Sequence, residues 1–164
     1  MQGVFCDCAR GRLRRMLPLL RLRLRRGSFW FCDACPQDCA AGTYAASTGM
    51  SKCVPCDAGK YSVSGAAACS DCATGSFSVG TAGVCTLCPQ GTYNTNTAST
   101  SIAACTACPA GTYSASIGAT SSATCLQCSP GTYSLSGAFE CTWCTQGTYS
   151  LSAGATSAAA CVVV

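Results

Sequence analysis

The chain has 164 residues, of which 18 are cysteine and none is histidine, and its ten Lys and Arg against six Asp and Glu leave it formally at +4. That cysteine load is too high for an ordinary cytosolic globule. Without histidine, and with the acids beyond the head scattered at Asp33, Asp38, Asp57, Asp71 and Glu140 and Asp7 alone within it, the chain lacks the usual acid–base and nucleophile constellations and the clustered oxygens that calcium needs.

The positive charge belongs to the head. All eight arginines (Arg10, Arg12, Arg14, Arg15, Arg21, Arg23, Arg25 and Arg26) precede Gly27, and beyond them only Lys52 and Lys60 are basic. The remainder therefore has no basic stripe, and no nucleic-acid partner is expected. A secretory signal needs an uninterrupted apolar stretch of roughly 7 to 15 residues. Met16 to Leu20 is shorter and contains Pro18. The alternating Arg and Leu suggest an amphipathic surface helix or a targeting segment, but Pro18 interrupts the first and the scarcity of serine opposes the second. Residues 1–31 are therefore read as a poorly ordered Arg-rich leader, or as sequence upstream of a wrongly assigned start.

Residues 32–161 form a cysteine-rich array. After Phe31 the non-cysteine apolar residues are mostly alanine with isolated valines and leucines, too few for a conventional core. Chains of that kind are held by disulfides, metal ions or partners. From Cys39 onward the array consists of seven copies, among them CDAGKYSVSGAAAC, CPAGTYSASIGATSSATC and CSPGTYSLSGAFEC. Three residues after each opening cysteine stands a glycine: Gly42, Gly59, Gly75, Gly91, Gly111, Gly131 and Gly147. Five residues after it stands an aromatic: Tyr44, Tyr61, Phe77, Tyr93, Tyr113, Tyr133 and Tyr149. The glycine supplies a turn angle that a side chain would penalise. Thr, aromatic and Ser then read as a very short extended segment, and a Ser/Gly/Ala loop returns the chain to the next cysteine. With little other apolar mass, the ring is expected to cover its disulfide as a structural residue with its hydroxyl wet; the other reading is an exposed ligand-binding row.

Between copies the cysteines fall as Cys-x-x-Cys, and three chemistries use that spacing. A redox disulfide inside each pair needs a thioredoxin-like strand and helix, whose periodicities are absent. Zinc would take two successive pairs as a four-cysteine site. The third scheme bonds across the turn, joining Cys39 to Cys53, Cys56 to Cys69, Cys72 to Cys85, Cys88 to Cys105, Cys108 to Cys125, Cys128 to Cys141 and Cys144 to Cys161. It uses every cysteine from 39 onward, whereas the other two strand Cys39 and Cys161, so closure at both ends favours it. Each bridge would stabilise the fold by about 3 kcal/mol in the chain-entropy model. The pairing of Cys6, Cys8, Cys32 and Cys35 cannot be read from sequence.

The unit Cys-x-x-Cys-Pro-x-Gly-Thr-Tyr-Ser followed by a small-residue loop resembles the ephrin-receptor-like (GCC2/GCC3) cysteine-rich repeat, akin in style to the cysteine-rich modules of growth-factor and tumour necrosis factor receptors. The likeness covers about residues 35 to 161, and the first copy departs from it with Cys35-x-x-x-Cys39. It implies a small disulfide-rich fold, an elongated array of short turn or β-hairpin-like repeats with little regular secondary structure, and it assigns no catalytic residue. The expected function is a non-catalytic extracellular structural or interaction module for adhesion or protein binding, with no cofactor and no metal, and with an unidentified protein or glycan as partner. An intracellular cysteine-rich zinc protein is the rival. The expected place is extracellular or at the cell surface. Because the head is not an export signal, the chain is read as a fragment, with 162–164 a truncated tail and any membrane attachment in sequence beyond it.

Overall fold

The computed structural model describes residues 39–46 and 52–163, together with two short head strands, β1 (Cys6–Asp7) and β2 (Arg12–Leu13), which pair antiparallel. The leader reading for 1–31 and the partners of Cys6, Cys8, Cys32 and Cys35 otherwise lie outside the described residues. No α-helix occurs among the described residues, and none of their helices is long and apolar enough to cross a membrane.

From Cys39 the fold is one hairpin per copy, each strand two residues long. The pairs are β3 (Thr43–Tyr44) with β4 (Val54–Pro55), β5 (Lys60–Tyr61) with β6 (Ser70–Asp71), β7 (Ser76–Phe77) with β8 (Thr86–Leu87), and β9 (Thr92–Tyr93) with β10 (Thr106–Ala107). They continue as β11 (Thr112–Tyr113) with β12 (Leu126–Gln127), β13 (Thr132–Tyr133) with β14 (Thr142–Trp143), and β15 (Thr148–Tyr149) with β16 (Val162–Val163). In the first six copies the second strand is the two-residue spacer of Cys-x-x-Cys, and in the seventh it is the two residues after Cys161. That spacing therefore serves a backbone purpose, because two residues are what the Thr–aromatic dipeptide can pair with before the next turn begins. Every pairing is antiparallel, and the aromatic always faces the first spacer residue, as Tyr113 faces Leu126 and Tyr149 faces Val162.

Each hairpin is stapled by one disulfide joining the cysteine before its turn to the cysteine before its second strand. The seven bridges are Cys39–Cys53, Cys56–Cys69, Cys72–Cys85, Cys88–Cys105, Cys108–Cys125, Cys128–Cys141 and Cys144–Cys161, with Cα atoms 5.6 to 5.8 Å apart. The bonded cysteines are 13 or 14 residues apart in four copies and 17 in the three that open at Cys88, Cys108 and Cys144. The longer loops end in 3₁₀ turns, Ile102–Ala104, Ser122–Thr124 and Ala158–Ala160, which place the extra residues just before the closing cysteine.

A two-stranded hairpin is marginal alone. Here the copies are sewn together by three backbone hydrogen bonds at every junction. The turn glycine N–H of one copy donates to the carbonyl six residues beyond the opening cysteine of the next, as Gly91 does to Ser114 at 2.7 Å. A loop N–H of the next copy donates back to the opening cysteine carbonyl, as Gly118 does to Cys88 at 2.8 Å. The third bond runs from the residue six beyond one cysteine to the loop of the next copy, as from Asn94 to Ala119 at 2.9 Å. The buried interior is correspondingly thin: the opening half-cystines Cys39, Cys56, Cys72, Cys88, Cys108 and Cys128, joined by Phe77, Ala119 and Ala155.

Candidate functional site

The repeated unit is itself the candidate site, and its geometry begins at the turn glycine. All seven of these glycines have positive φ, from 76° at Gly91 to 88° at Gly42, a region that a β-carbon disfavours. Five of them carry a second constraint. A β-carbon on Gly42, Gly59, Gly75, Gly91 or Gly111 would collide with the carbonyl oxygen of Thr81, Ala98, Gly118, Gly137 or Gly154 respectively, each in the loop two copies further on. Gly131 and Gly147 have nothing within 4 Å.

Next to the glycine a hydroxyl closes the turn. Thr43, Thr92, Thr112, Thr132 and Thr148 each donate Oγ1 to the carbonyl three residues back, at 2.6 to 2.7 Å, and Ser76 does so at 2.8 Å. In the second copy Lys60 occupies this position and its Nζ pairs instead with Asp71 across the hairpin. The Asp71 carboxylate, first by its hydrogen bond and then by its charge, holds the Lys60 ammonium above the usual lysine range.

The aromatics are not the most buried members of the unit. Phe77 is 9% exposed and Tyr149 39%, with the remaining tyrosines between these classes. No tyrosine hydroxyl is buried without a partner. The ring and the spacer residue opposite it lie on one face of each hairpin, and across all copies that face carries no charge. The opposite face is less uniform, presenting Leu87, Trp143 and Val163 to solvent.

The residue six beyond the opening cysteine was not singled out by the sequence reading, yet it is the stitch between copies. It is Ser62, Ser78, Asn94, Ser114, Ser134 and Ser150, all buried, with Ala45 in the first copy. Ser62, Ser78 and Ser134 donate their hydroxyls to the carbonyls of Thr43, Lys60 and Thr112 in the preceding copy, at 2.9, 2.7 and 2.8 Å. Asn94 replaces the hydroxyl with an amide that reaches both Ser76 O and Ser99 Oγ. Ser114 Oγ has no partner. The signal was present, because a polar residue stands at a fixed count in six of seven copies.

A second turn position was hidden by loop length. Gly65, Gly118, Gly137 and Gly154 have φ of 67° to 77°, and the equivalent residues in two copies are Thr81 and Ala98, at 49° and 51°. Their offset from the opening cysteine is nine residues in short copies and ten in long ones, so a fixed count from the cysteine misses them.

Among the described residues no group of three or more Cys, Asp or Glu is placed to hold a metal ion. The acids Asp57, Asp71 and Glu140 all lie exposed on the surface. What the arrangement offers is surface: a covalently stapled ladder with an uncharged aromatic face and small-residue loops.

Two overlapping segments, residues 59–105 and 75–125, match the family described as "Tyrosine-protein kinase ephrin type A/B receptor-like". They run from the second copy through the fifth. No curated protein matches the chain.

Proposed function

We infer from a chain whose residues 59–125 belong to the ephrin-receptor-like cysteine-rich repeats that it works as a rod outside the cell, spacing or displaying surfaces for adhesion or for binding a protein or glycan. Seven bridges in one register carry this reading. Disulfides at this density persist in oxidising compartments, which supports a secreted or surface setting for the array. The repeat family is a receptor module rather than a catalytic one. Stacked repeats that contact only their near neighbours make long exposed surfaces, the usual platform for protein partners. The rival zinc reading needs thiolates, and the fourteen sulfurs that would supply them are joined in pairs.

The test is the intact mass of the full chain after alkylation without reduction, following production through a secretory pathway and a chelator step. The expected result is no label on the fourteen array cysteines and a peptide linking Cys108 to Cys125. Full labelling of those fourteen, with zinc released in proportion, would replace this reading with the intracellular metal protein.

A further inference from the structure

We propose that Thr100, Thr120 and Thr156 are acceptor sites for O-linked sugar, so that the three long copies carry glycans. The inference rests on the extracellular reading above. All three are exposed, and none of their hydroxyls has a hydrogen-bond partner among the described residues. This sets them apart from Thr92, Thr112, Thr132 and Thr148, whose hydroxyls are committed to closing turns.

Their setting recurs. Each follows a buried small residue, Ser99, Ala119 or Ala155, and precedes a serine in extended conformation, with φ of −159° at Ser101, −153° at Ser121 and −163° at Ser157. None of those serines uses its side chain to cap the 3₁₀ turn that follows. The acceptor stretch is therefore extended, anchored just before the threonine, flanked by Ala and Ser, and free of charge. A transferase needs such a segment, because it must lay the backbone in its own groove and reach the hydroxyl from solvent. The short copies that open at Cys56, Cys72 and Cys128 have Ala67, Gly83 and Phe139 at the corresponding place and offer no hydroxyl there.

The choice of threonine has a packing reason in the fifth copy. Thr120 Cγ2 lies 3.2 Å from where a β-carbon on Gly75 would sit, so the methyl faces the turn of the third copy. The methyl takes part in the contact between copies two apart and the hydroxyl stays free. In the transfer, Oγ1 attacks the anomeric carbon of a nucleotide-activated sugar. The bond from that carbon to the diphosphate breaks, the nucleoside diphosphate leaves with the electron pair, and the hydroxyl proton passes to the transferase base and then to solvent. No redox change is involved. A sugar is bulky and hydrophilic, and Ser/Thr-rich extracellular stalks are commonly dressed this way.

The oxidised full chain, incubated with a polypeptide N-acetylgalactosaminyltransferase and its nucleotide sugar and then mapped by peptide mass spectrometry, tests the acceptor sites without regard to where the protein resides. One sugar mass is expected on each of Thr100, Thr120 and Thr156, with none on Thr92 or Thr112. T100V, T120V and T156V should each lose only their own increment, while T120S keeps it. An oxidised chain with those three threonines bare, or with sugar equally on Thr112, overturns the proposal. The parent reading is read separately, by counting free thiols in chain recovered from a secretory pathway. Free array thiols there sink both ideas, whereas a fully bridged chain recovered without sugar on the three threonines sinks only this one.

Discussion

Gly91 and Gly131 occupy the same place in the repeat and differ in what surrounds them. Both are held at positive φ, 76° and 81°. An L-residue there costs about 1–2 kcal/mol on backbone grounds alone. At Gly91 a β-carbon would also run into the carbonyl of Gly137, two copies away, whereas around Gly131 the space is open. Gly131→Ala should therefore lose only the backbone amount, and Gly91→Ala should lose that amount plus whatever the junction gives up by opening. Urea denaturation of the two variants reads the difference directly. Equal losses would mean that the contact between copies two apart carries no energy.

At the scale of the hairpin, the question is why two-residue strands persist. A disulfide fixes one end, the opening cysteine of the following copy adds a rung by donating to the turn glycine, as Cys108 N does to Gly91 O at 2.8 Å, and the stitch residue ties the unit to its neighbours. Ser134 is 2% exposed and its hydroxyl donates to Thr112 O, while Ser114 is 1% exposed and its hydroxyl has no partner. A buried hydrogen bond is worth about 1 kcal/mol net, and leaving its acceptor bare costs more. Ser134→Ala should thus destabilise by about 1–2 kcal/mol, with Ser114→Ala near neutral; comparison of denaturation midpoints at unchanged slope decides it. This contrast also explains what the sequence could tell. Glycine and aromatic stand at constant counts from a cysteine, and their residue types announce a turn and a strand. The serine stands at an equally constant count, but it reads only as the end of the short extended segment, because its partner is a carbonyl in another copy and no local rule points there. The Thr81 and Ala98 turn position was obscured differently, by an offset that changes with loop length and by side chains that seldom adopt φ near 50°. The interior was unreadable for a third reason: half-cystines and small residues fill it, and neither advertises a core by hydropathy.

Over the whole molecule, each copy meets the next through three backbone bonds and, for five copies, the one after it through the turn glycine. Repeat arrays are usually described by intrinsic and nearest-neighbour terms, and a contact of longer range should make this ladder stiffer and its melting more cooperative than such a sum. That property suits a spacer, whose use depends on transmitting a fixed separation. The bridge Cys108–Cys125 offers a way to measure it, since its copy touches the neighbours on both sides and Gly111 lies under the Gly154 carbonyl of the seventh copy. Replacing both cysteines by alanine should cost about 2–4 kcal/mol for the lost cross-link. Hydrogen exchange followed by mass spectrometry should then quicken in residues 88–105 and 128–141, and also at the Gly154 loop. Copies one and two, beyond reach of either contact, should be unchanged. Acceleration confined to 108–125 would show that the copies fold independently, and a chain of independent copies would act as a flexible tether in place of a rod.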